Sequence, residues 1–451
     1  MTSGTSKTYY FLGIGGIGMS ALARFFKRQG HRVAGYDKTP TKLTQQLIDE
    51  GIDVHFHENI NSLPSGIDLV VYTPAVPVEH AEYRYFIENK VPLKKRAVVL
   101  GEVVKNNFLI AVAGTHGKTT ITGMIAHIMQ SSGIPVNAFI GGIVKNFQSN
   151  LVYTENAVVA VTEADEYDRS FLSLDPDIAI ISAIDADHLD IYADKKNLVD
   201  SYHAFAGKVN PIGTLIIKNG LPEPASHEYN LFHYDKNAAA DFYAKDVYIE
   251  NARYHATICL QQEEVQVVLN VPGWHNVENA VAAAAACYVF GAGAAEIKQG
   301  LETFEGVSRR FDVRFQHGNT TYIDDYAHHP EELRAFIGTV RELYPDRKIT
   351  GIFQPHLYSR TRDFAAEFAA VLDNLDEAIL LDIYPARELP IEGVTSGIIL
   401  EKMKIADKKI LSKEALLATL RNHQTEVLLT MGAGDIDQLI EPLMNLLKEK
   451  M

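Results

Sequence analysis

A chain of 451 residues, 47% hydrophobic and 22% charged, carries apolar material for about three packed domains at the usual ~150 residues each and excludes long disorder. Its net charge of −15 at pH 7 argues against a nucleic-acid or acidic-membrane partner, because such proteins present a basic face to phosphate. Cys259 and Cys287 alone cannot build a disulfide framework or a cysteine zinc site, Met1 to Lys7 lack the apolar core of a signal peptide, and no run of ~18 apolar residues occurs, so a cytoplasmic protein is expected.

The first predicted strand, Thr8 to Leu12, runs into Gly13-Ile14-Gly15-Gly16-Ile17-Gly18. A helix with Leu22, Phe25 and Phe26 inward and a second strand, Arg32 to Tyr36, follow, ending at Asp37. The G-x-G-x-x-G order fits a dinucleotide site, with Asp37 about where a ribose-binding acid belongs, and it fits equally a loop for another diphosphate or a packing turn. Leu69 to Tyr72 reads as a further strand ending in Thr73-Pro74-Ala75, at the carboxyl edge where open α/β sheets bind ligands; the alternative is that proline simply stops the strand. A partly basic helix around Lys94 to Asn107 leads to the first expected domain boundary, giving domain 1 as residues 1–106.

Phe108 to Ala113 reads as a buried strand, and Ile121, Met124, Ile125, Ile128 and Met129 recur at helical spacing. Between them lies Gly114-Thr115-His116-Gly117-Lys118-Thr119-Thr120. Strand, glycine-rich loop and helix together aim backbone N–H groups at one spot, the way proteins hold polyphosphate. Lys118 adds a point charge for the outer phosphates and Thr119 a hydroxyl for Mg²⁺. The strict phosphate-loop pattern wants a glycine where Val112 stands; Gly114 is the nearest substitute. Strands at Ala157 to Thr162 and Ile178 to Ile184 end in acid blocks, Glu163 to Asp168 and Asp185 to Asp190. Most of these acids read as helix caps, while Glu163 and His188, nearest the strand ends, read as metal ligands beside a triphosphate. Gly207 to Val271 gives short strands with little legible chemistry. Asn276 and Asn279 then lie at i, i+3 near the start of an alanine-rich helix, either packing and capping or meeting a purine edge. This second domain is expected over residues 107–306.

Residues 307–451 alternate strands (Thr321 to Ile323, Ile349 to Phe353, Ala378 to Ile383, Glu426 to Met431) with helical stretches, the pattern of another doubly wound sheet. Two strand ends, Asp325-Tyr326-Ala327-His328-His329-Pro330 and Gln354-Pro355-His356 through Arg360-Thr361-Arg362, bring arginines and histidines to a carboxyl edge. They suit a carboxylate or phosphate, or form a solvated basic turn. Gly432-Ala433-Gly434-Asp435 is either a small phosphate loop or a tight turn. Two phosphate-type loops in separate domains point to a nucleoside triphosphate on the second and a different diphosphate on the first. Phosphoryl transfer from ATP fits, since it needs chiefly positioning and charge neutralisation.

Taken together, Gly114 to Thr120, Glu163 to Asp168, Asp187-His188-Leu189-Asp190, His275 to Asn279, Arg309-Arg310-Phe311, Asp325 to Pro330 and Gln354 to Arg362 resemble the Mur ligase family in order from about Tyr9 to Asp435. The resemblance implies an α/β fold of three domains: N-terminal Rossmann-like, central P-loop ATPase-type, and C-terminal Rossmann-like. It implies ATP-dependent amide formation in peptidoglycan precursor synthesis, with UDP-N-acetylmuramate, L-alanine and ATP as partners, Mg²⁺ (or Mn²⁺) as cofactor, and an acyl phosphate as intermediate. Gly13, Gly15, Gly16, Ile17, Gly18, Asp37, Thr73, Pro74 and Ala75 would then serve the UDP-sugar. Gly114 to Thr120, Asn276, Asn279, Arg310 and Asp325 would serve ATP, and Thr119, Glu163 and His188 the metal. Tyr326, His328, His356, Arg360 and Arg362 would face the amino acid, with Lys118, His188, Arg310, His328, His356 and Arg360 acting in catalysis. Several sibling ligases carry a carbamylated lysine where this chain has Tyr202-His203, which favours the alanine-adding branch. Tyr167 stands where many of that branch have serine and is shared with ligases that recycle a murein tripeptide, the nearest alternative; an NAD-dependent oxidoreductase is the alternative from a different class.

Overall fold

The computed structural model describes residues 6–185, 194–237, 240–386 and 388–450. The first sheet sets Asp53–His55, Arg32–Tyr36, Thr8–Leu12, Leu69–Tyr72 and Leu93–Lys95 side by side in that order, all parallel. Because the order starts in the middle and winds outwards both ways, the loop after Thr8–Leu12 emerges where the winding reverses, the crevice in which such sheets hold ligands.

Ten strands form the second sheet. Phe108–Ala113 lies inside it, parallel to Ile178–Ile181 on one side and to Val159–Glu163 on the other. From Leu109 to Ala113 its side chains are buried, which is why this stretch is an uninterrupted apolar run rather than an alternating one. The following helix, Lys118–Ser131, buries Ile121, Met124, Ile125, Ile128 and Met129 as their spacing predicts. Two predicted strands are shorter than expected. Asn156 takes a positive φ of 60° and Ala157 closes a turn onto Thr154, delaying the first strand to Val159. Ser182 leaves the second strand early because its hydroxyl turns to the carbonyls of Ala113 and His116.

The third sheet runs Asp312–His317, Thr320–Asp325, Val427–Met431, Ile349–Phe353, Glu377–Leu380 and Lys408–Ile410; its first pair is antiparallel and the rest are parallel. The chain forms two compact units: residues 1–248, 255–270 and 276–305, and residues 249–254, 271–275 and 306–451. Among the described residues no helix is long and apolar enough to cross a membrane.

Within the first unit, residues on both sides of position 106 share one hydrophobic cluster, with Phe25 against Phe139 and Tyr153. A buried polar seam adds to it. Arg24, 4% exposed, holds Glu50 through Nε and Nη2 at 2.7–3.0 Å and donates through Nη1 to Asn150 Oδ1. Asn150 lies in the Ser149–Val152 strand, paired antiparallel to Val136–Val144, and its amide returns hydrogen bonds to Ile17 O and Ser20 Oγ at 2.6 and 2.9 Å. Each buried polar group finds a partner across the seam, so the first helix and this hairpin are held in one register.

At the start of the Glu377–Leu380 strand, the amino edge of the third sheet, Glu377 is buried among Lys409 at 2.8 Å, Lys348 at 3.1 Å and His423 at 2.6 Å. Burial alone would raise its pKa; hydrogen bonds from Lys409 and Lys348 and the His423 charge overcome this and hold it at about 2. A depressed carboxylate pKa stabilises the fold above the ordinary value of 4.5 and ceases to as pH falls through about 2. Glu377→Gln leaves facing cations, two of them half in solvent, and is expected to cost about 2–3 kcal/mol at pH 7. Urea unfolding at pH 7 and again at about pH 3 checks this: the deficit of the variant should shrink at the lower pH, and a pH-independent deficit would count against it.

Candidate active site

The loop from Gly114 to Thr120 is shaped by two glycines at positive φ values that other residues adopt only with strain. Gly114 has φ +136°, and a Cβ there would lie 2.2 Å from Ser182 Oγ. Gly117, φ +85°, precedes the Lys118–Ser131 helix without a side-chain cap, leaving its first N–H groups for an anion. Ser182 N donates to Ala113 O at 3.0 Å and Thr115 N to Ala183 O at 3.1 Å, so the neighbouring strand end holds the loop open. His116 lies 3.5 Å from Asp185.

Lys118 Nζ donates to Gly114 O at 2.6 Å and to both carboxylate oxygens of Glu166 at 2.8 and 3.0 Å. The pair is enclosed, with side-chain exposures of 17% and 1%. Burial opposes the ammonium charge, but Glu166, followed by Asp165, outweighs it and raises the Lys118 pKa. Glu163, ending the adjacent strand, accepts from Gly141 N at 2.5 Å and from the Thr119 hydroxyl; burial pushes its pKa up against those bonds and the Lys118 charge. A carboxylate and a threonine hydroxyl turned to each other beside the lysine are hard oxygen donors, the set that fits Mg²⁺. His188, the third predicted metal ligand, lies outside the described residues.

Asn276 and Asn279 pack inward near the start of the Trp274–Phe290 helix. Both are buried, Asn279 Nδ2 donates to Asn276 Oδ1 at 3.0 Å, and a Cβ on Gly117 would come within 2.7 Å of Asn279 Oδ1. The structure therefore sets this pair directly against the phosphate loop.

In the first sheet's loop, Gly13 N and Ile14 N both donate to Tyr36 O, at 2.8 and 3.0 Å, and Gly15 N donates to Asp37 Oδ2 at 2.8 Å. Asp37 thus braces the loop from below. Gly13, φ +85°, sits against Thr73, since a Cβ would be 2.8 Å from its methyl carbon. Gly16 starts the Ile17–Arg28 helix with no side-chain cap, and Pro74 and Ala75 lie exposed on the neighbouring strand end. Gly18 faces a residue the sequence did not flag: its missing Cβ would stand 3.0 Å from Arg96 Nη1, and Arg96 in turn lies 3.6 Å from Asp165.

The second unit assembles its own cluster. Arg309 is spent internally, on buried Asp324 at 3.3 Å and Gly432 O at 2.5 Å, which leaves Arg310 as the available guanidinium of the pair. Both arginines lie over the Tyr326 ring, 5.1 and 5.2 Å from its centroid. Asp325 accepts from Phe311 N and Ala327 N, each at 2.7 Å; burial pushes its pKa up to about 6, against Arg310 and those two bonds. His328 stacks edge-on to Tyr326 and His356 at 5.2 and 5.7 Å, and His356 lies flat on Tyr384 at 5.8 Å. Burial lowers the His328 pKa, Glu332 opposes this and Arg360 adds to it, so Arg360 belongs to the same cluster. Arg362 is the exception: it is exposed and engages Asp363 beside it at 2.7 Å. Gly432-Ala433-Gly434-Asp435 is a turn fastened by Gln354, which bonds Asp435 at 2.8 Å and Ile436 N at 2.9 Å.

Glu166, Arg96 and Ser182 escaped the sequence reading as site residues. Glu166 had a signal, since a lysine buried behind an apolar strand needs an acid. Arg96 and Ser182 had none, because their partners lie dozens of residues away.

Three α/β sheets, the first wholly and the others largely parallel where the glycine loops emerge, the middle one carrying a strand–glycine loop–helix turn with its lysine enclosed, define a doubly wound protein of the phosphate-loop class. Three family models match it in succession: the Mur ligase family, catalytic domain over residues 8–108, the Mur ligase middle domain over 112–287 and the Mur ligase, glutamate ligase domain over 309–434. The chain belongs to the Mur ligase family. It is 47% identical over 447 residues, 98% of each chain, to a UDP-N-acetylmuramate–L-alanine ligase of Flavobacterium johnsoniae. The ligase of the same name from Parabacteroides distasonis is also 47% identical, over 97% of this chain and 96% of that one. Among solved structures, a UDP-N-acetylmuramate–alanine ligase from Thermotoga maritima superposes with a TM-score of 0.85 at 28% identity, covering 98% of this chain and all of the other. A murein peptide ligase from Psychrobacter arcticus shares the fold, with a TM-score of 0.73 at 22% identity.

Proposed function

We propose that this chain joins L-alanine to the lactyl carboxylate of UDP-N-acetylmuramate at the expense of ATP. The observation that carries this reading is near-full-length identity of 43–47% to ligases bearing that name. The UDP-sugar carboxylate attacks the γ-phosphate, releasing ADP and forming an acyl phosphate; the alanine amine attacks its carbonyl, and phosphate and a proton leave as the amide forms. Such substrates are met in the cytoplasm. Gly13 to Gly18, Asp37 and Thr73 serve the UDP-sugar, Gly114 to Thr120, Asn276 and Asn279 the nucleotide, and Lys118 its outer phosphates. Thr119 and Glu163, with His188, would hold Mg²⁺, which when bound offsets phosphate charge. On the second unit, Arg310 and Asp325 serve the nucleotide, and Tyr326, His328, His356 and Arg360 the amino acid.

A coupled assay of ADP release tests the function. Turnover is expected to require UDP-N-acetylmuramate and free L-alanine together. Turnover confined to the murein tripeptide would reassign the chain to the recycling activity, and nicotinamide binding in place of ADP release would overturn the ligase reading.

A further inference from the structure

We infer that Glu166 is an internal competitor for nucleotide phosphate, a latch that holds Lys118 until a nucleotide displaces it. This rests on the reading of Gly114 to Thr120 as the nucleotide loop. Both oxygens of Glu166 lie on Lys118 Nζ, at 2.8 and 3.0 Å, and its side chain is 1% exposed. The lysine it holds is the loop's own cation, tethered at its other side to Gly114 O at 2.6 Å. A carboxylate with two oxygens on one ammonium presents to it what a phosphate would. The ammonium has three N–H donors and no fourth to spare. One is taken by Gly114 O, so a phosphate that engages Lys118 must share or replace the two contacts to Glu166.

The turn bearing Glu166 is fixed rather than loose. Arg169 N donates to Glu166 O at 2.9 Å, Tyr167 N to Asp165 Oδ1 at 3.1 Å and Phe171 N to Asp165 O at 2.9 Å. Neighbouring Asp165 faces Arg96, the guanidinium lying against Gly18 of the other glycine loop, so adjacent acids occupy cations of both loops. The two pairs differ in strength. Arg96 and Asp165 are 3.6 Å apart with exposures of 23% and 41%, a contact that water screens and that contributes little. The enclosed Lys118 pair is the one whose loss is measurable.

The experiment is titration of the full-length protein with ADP, without Mg²⁺ or UDP-sugar, for wild type, Glu166→Gln, Glu166→Asp, Asp165→Asn and Lys118→Ala. Glu166→Gln is expected to bind ADP about tenfold more tightly, the equivalent of one charge-assisted hydrogen bond no longer competing. Glu166→Asp, whose carboxylate is drawn back by one methylene, should tighten binding less, and Asp165→Asn should change it by less than about twofold. UDP affinity at the other loop reports that each variant is folded, and if Glu166→Gln fails that control Glu166→Asp decides. Destabilisation of a merely structural residue would weaken ADP binding. Unchanged or weaker binding in the folded Glu166 variants therefore overturns the latch. Absence of ADP binding to wild type, or binding indifferent to Lys118→Ala, overturns instead the nucleotide reading of the loop.

Discussion

Lys118→Ala is expected to lower kcat/KM for ATP-dependent ADP release about 10³-fold, the loss typical when a preorganised donor to developing charge is removed. The lysine follows Gly117 at the start of a helix whose N-terminal N–H groups carry no side-chain cap, so its charge adds to a field already favouring anions. Two effects must be separated, however, because the substitution also removes the ammonium on which both oxygens of Glu166, 1% exposed, lie. Removing one partner of a buried ion pair costs about 3–5 kcal/mol. The double variant Lys118→Ala/Glu166→Gln removes both charges and is expected to recover most of that stability, read by urea unfolding, while turnover stays lost. If the double variant regained turnover, the single variant's defect would have been instability, and the proposed role of Lys118 on the phosphates would fail.

What the sequence disclosed and what it withheld divides along a physical line. Thr8–Leu12, Arg32–Tyr36, Leu69–Tyr72 and Phe108–Ala113 begin and end where composition predicts, because each is an apolar run closed by glycine, a charge or proline, and those signals are local. The glycine loops were legible for the same reason, since a backbone that must turn through positive φ at Gly13, Gly114 and Gly117 selects its residue type directly. Pairings across the chain were not. The Lys118 to Glu166 contact spans 48 residues and that from Arg24 to Asn150 spans 126, and nothing in a residue's neighbours tells it which distant acid or amide will arrive. Acids after a strand read most simply as caps, and Asp165 does accept from Tyr167 N two residues on; Glu166 beside it does not fit that pattern. Arg309 and Arg310 look equivalent in sequence, and only the carbonyl of Gly432 and the buried Asp324 distinguish the one that anchors from the one left available.

Gly114→Ala is expected to weaken nucleotide binding and turnover by about 10²-fold, the order of loss that follows when a site is misplaced by about 1 Å. Two terms contribute. A φ of +136° is one that alanine adopts only with strain of about 1–3 kcal/mol. The added methyl would also lie 2.2 Å from Ser182 Oγ and 2.8 Å from Ala183 N, and neither can retreat freely: Ser182 Oγ is bonded to Ala113 O and His116 O, and Ala183 accepts from Thr115 N. The loop must give way, carrying Gly117 and Lys118 with it. Geometry also explains the irregular motif. Val112 stands where a strict phosphate loop has glycine, but it lies wholly buried within the Phe108–Ala113 strand, in register with Ile180 and Glu163, a place that favours a β-branched side chain and requires no special φ. The turn begins two residues later, and there the glycine stands. Ser182→Gly in the Gly114→Ala background separates the terms, since it removes the hydroxyl but leaves the backbone nitrogens of residues 182 and 183 at 3.0 and 2.8 Å. Partial recovery of ADP affinity by titration is expected. Full recovery would assign the whole effect to the side chain, and an undiminished wild-type affinity in Gly114→Ala alone would remove the requirement for glycine at this turn.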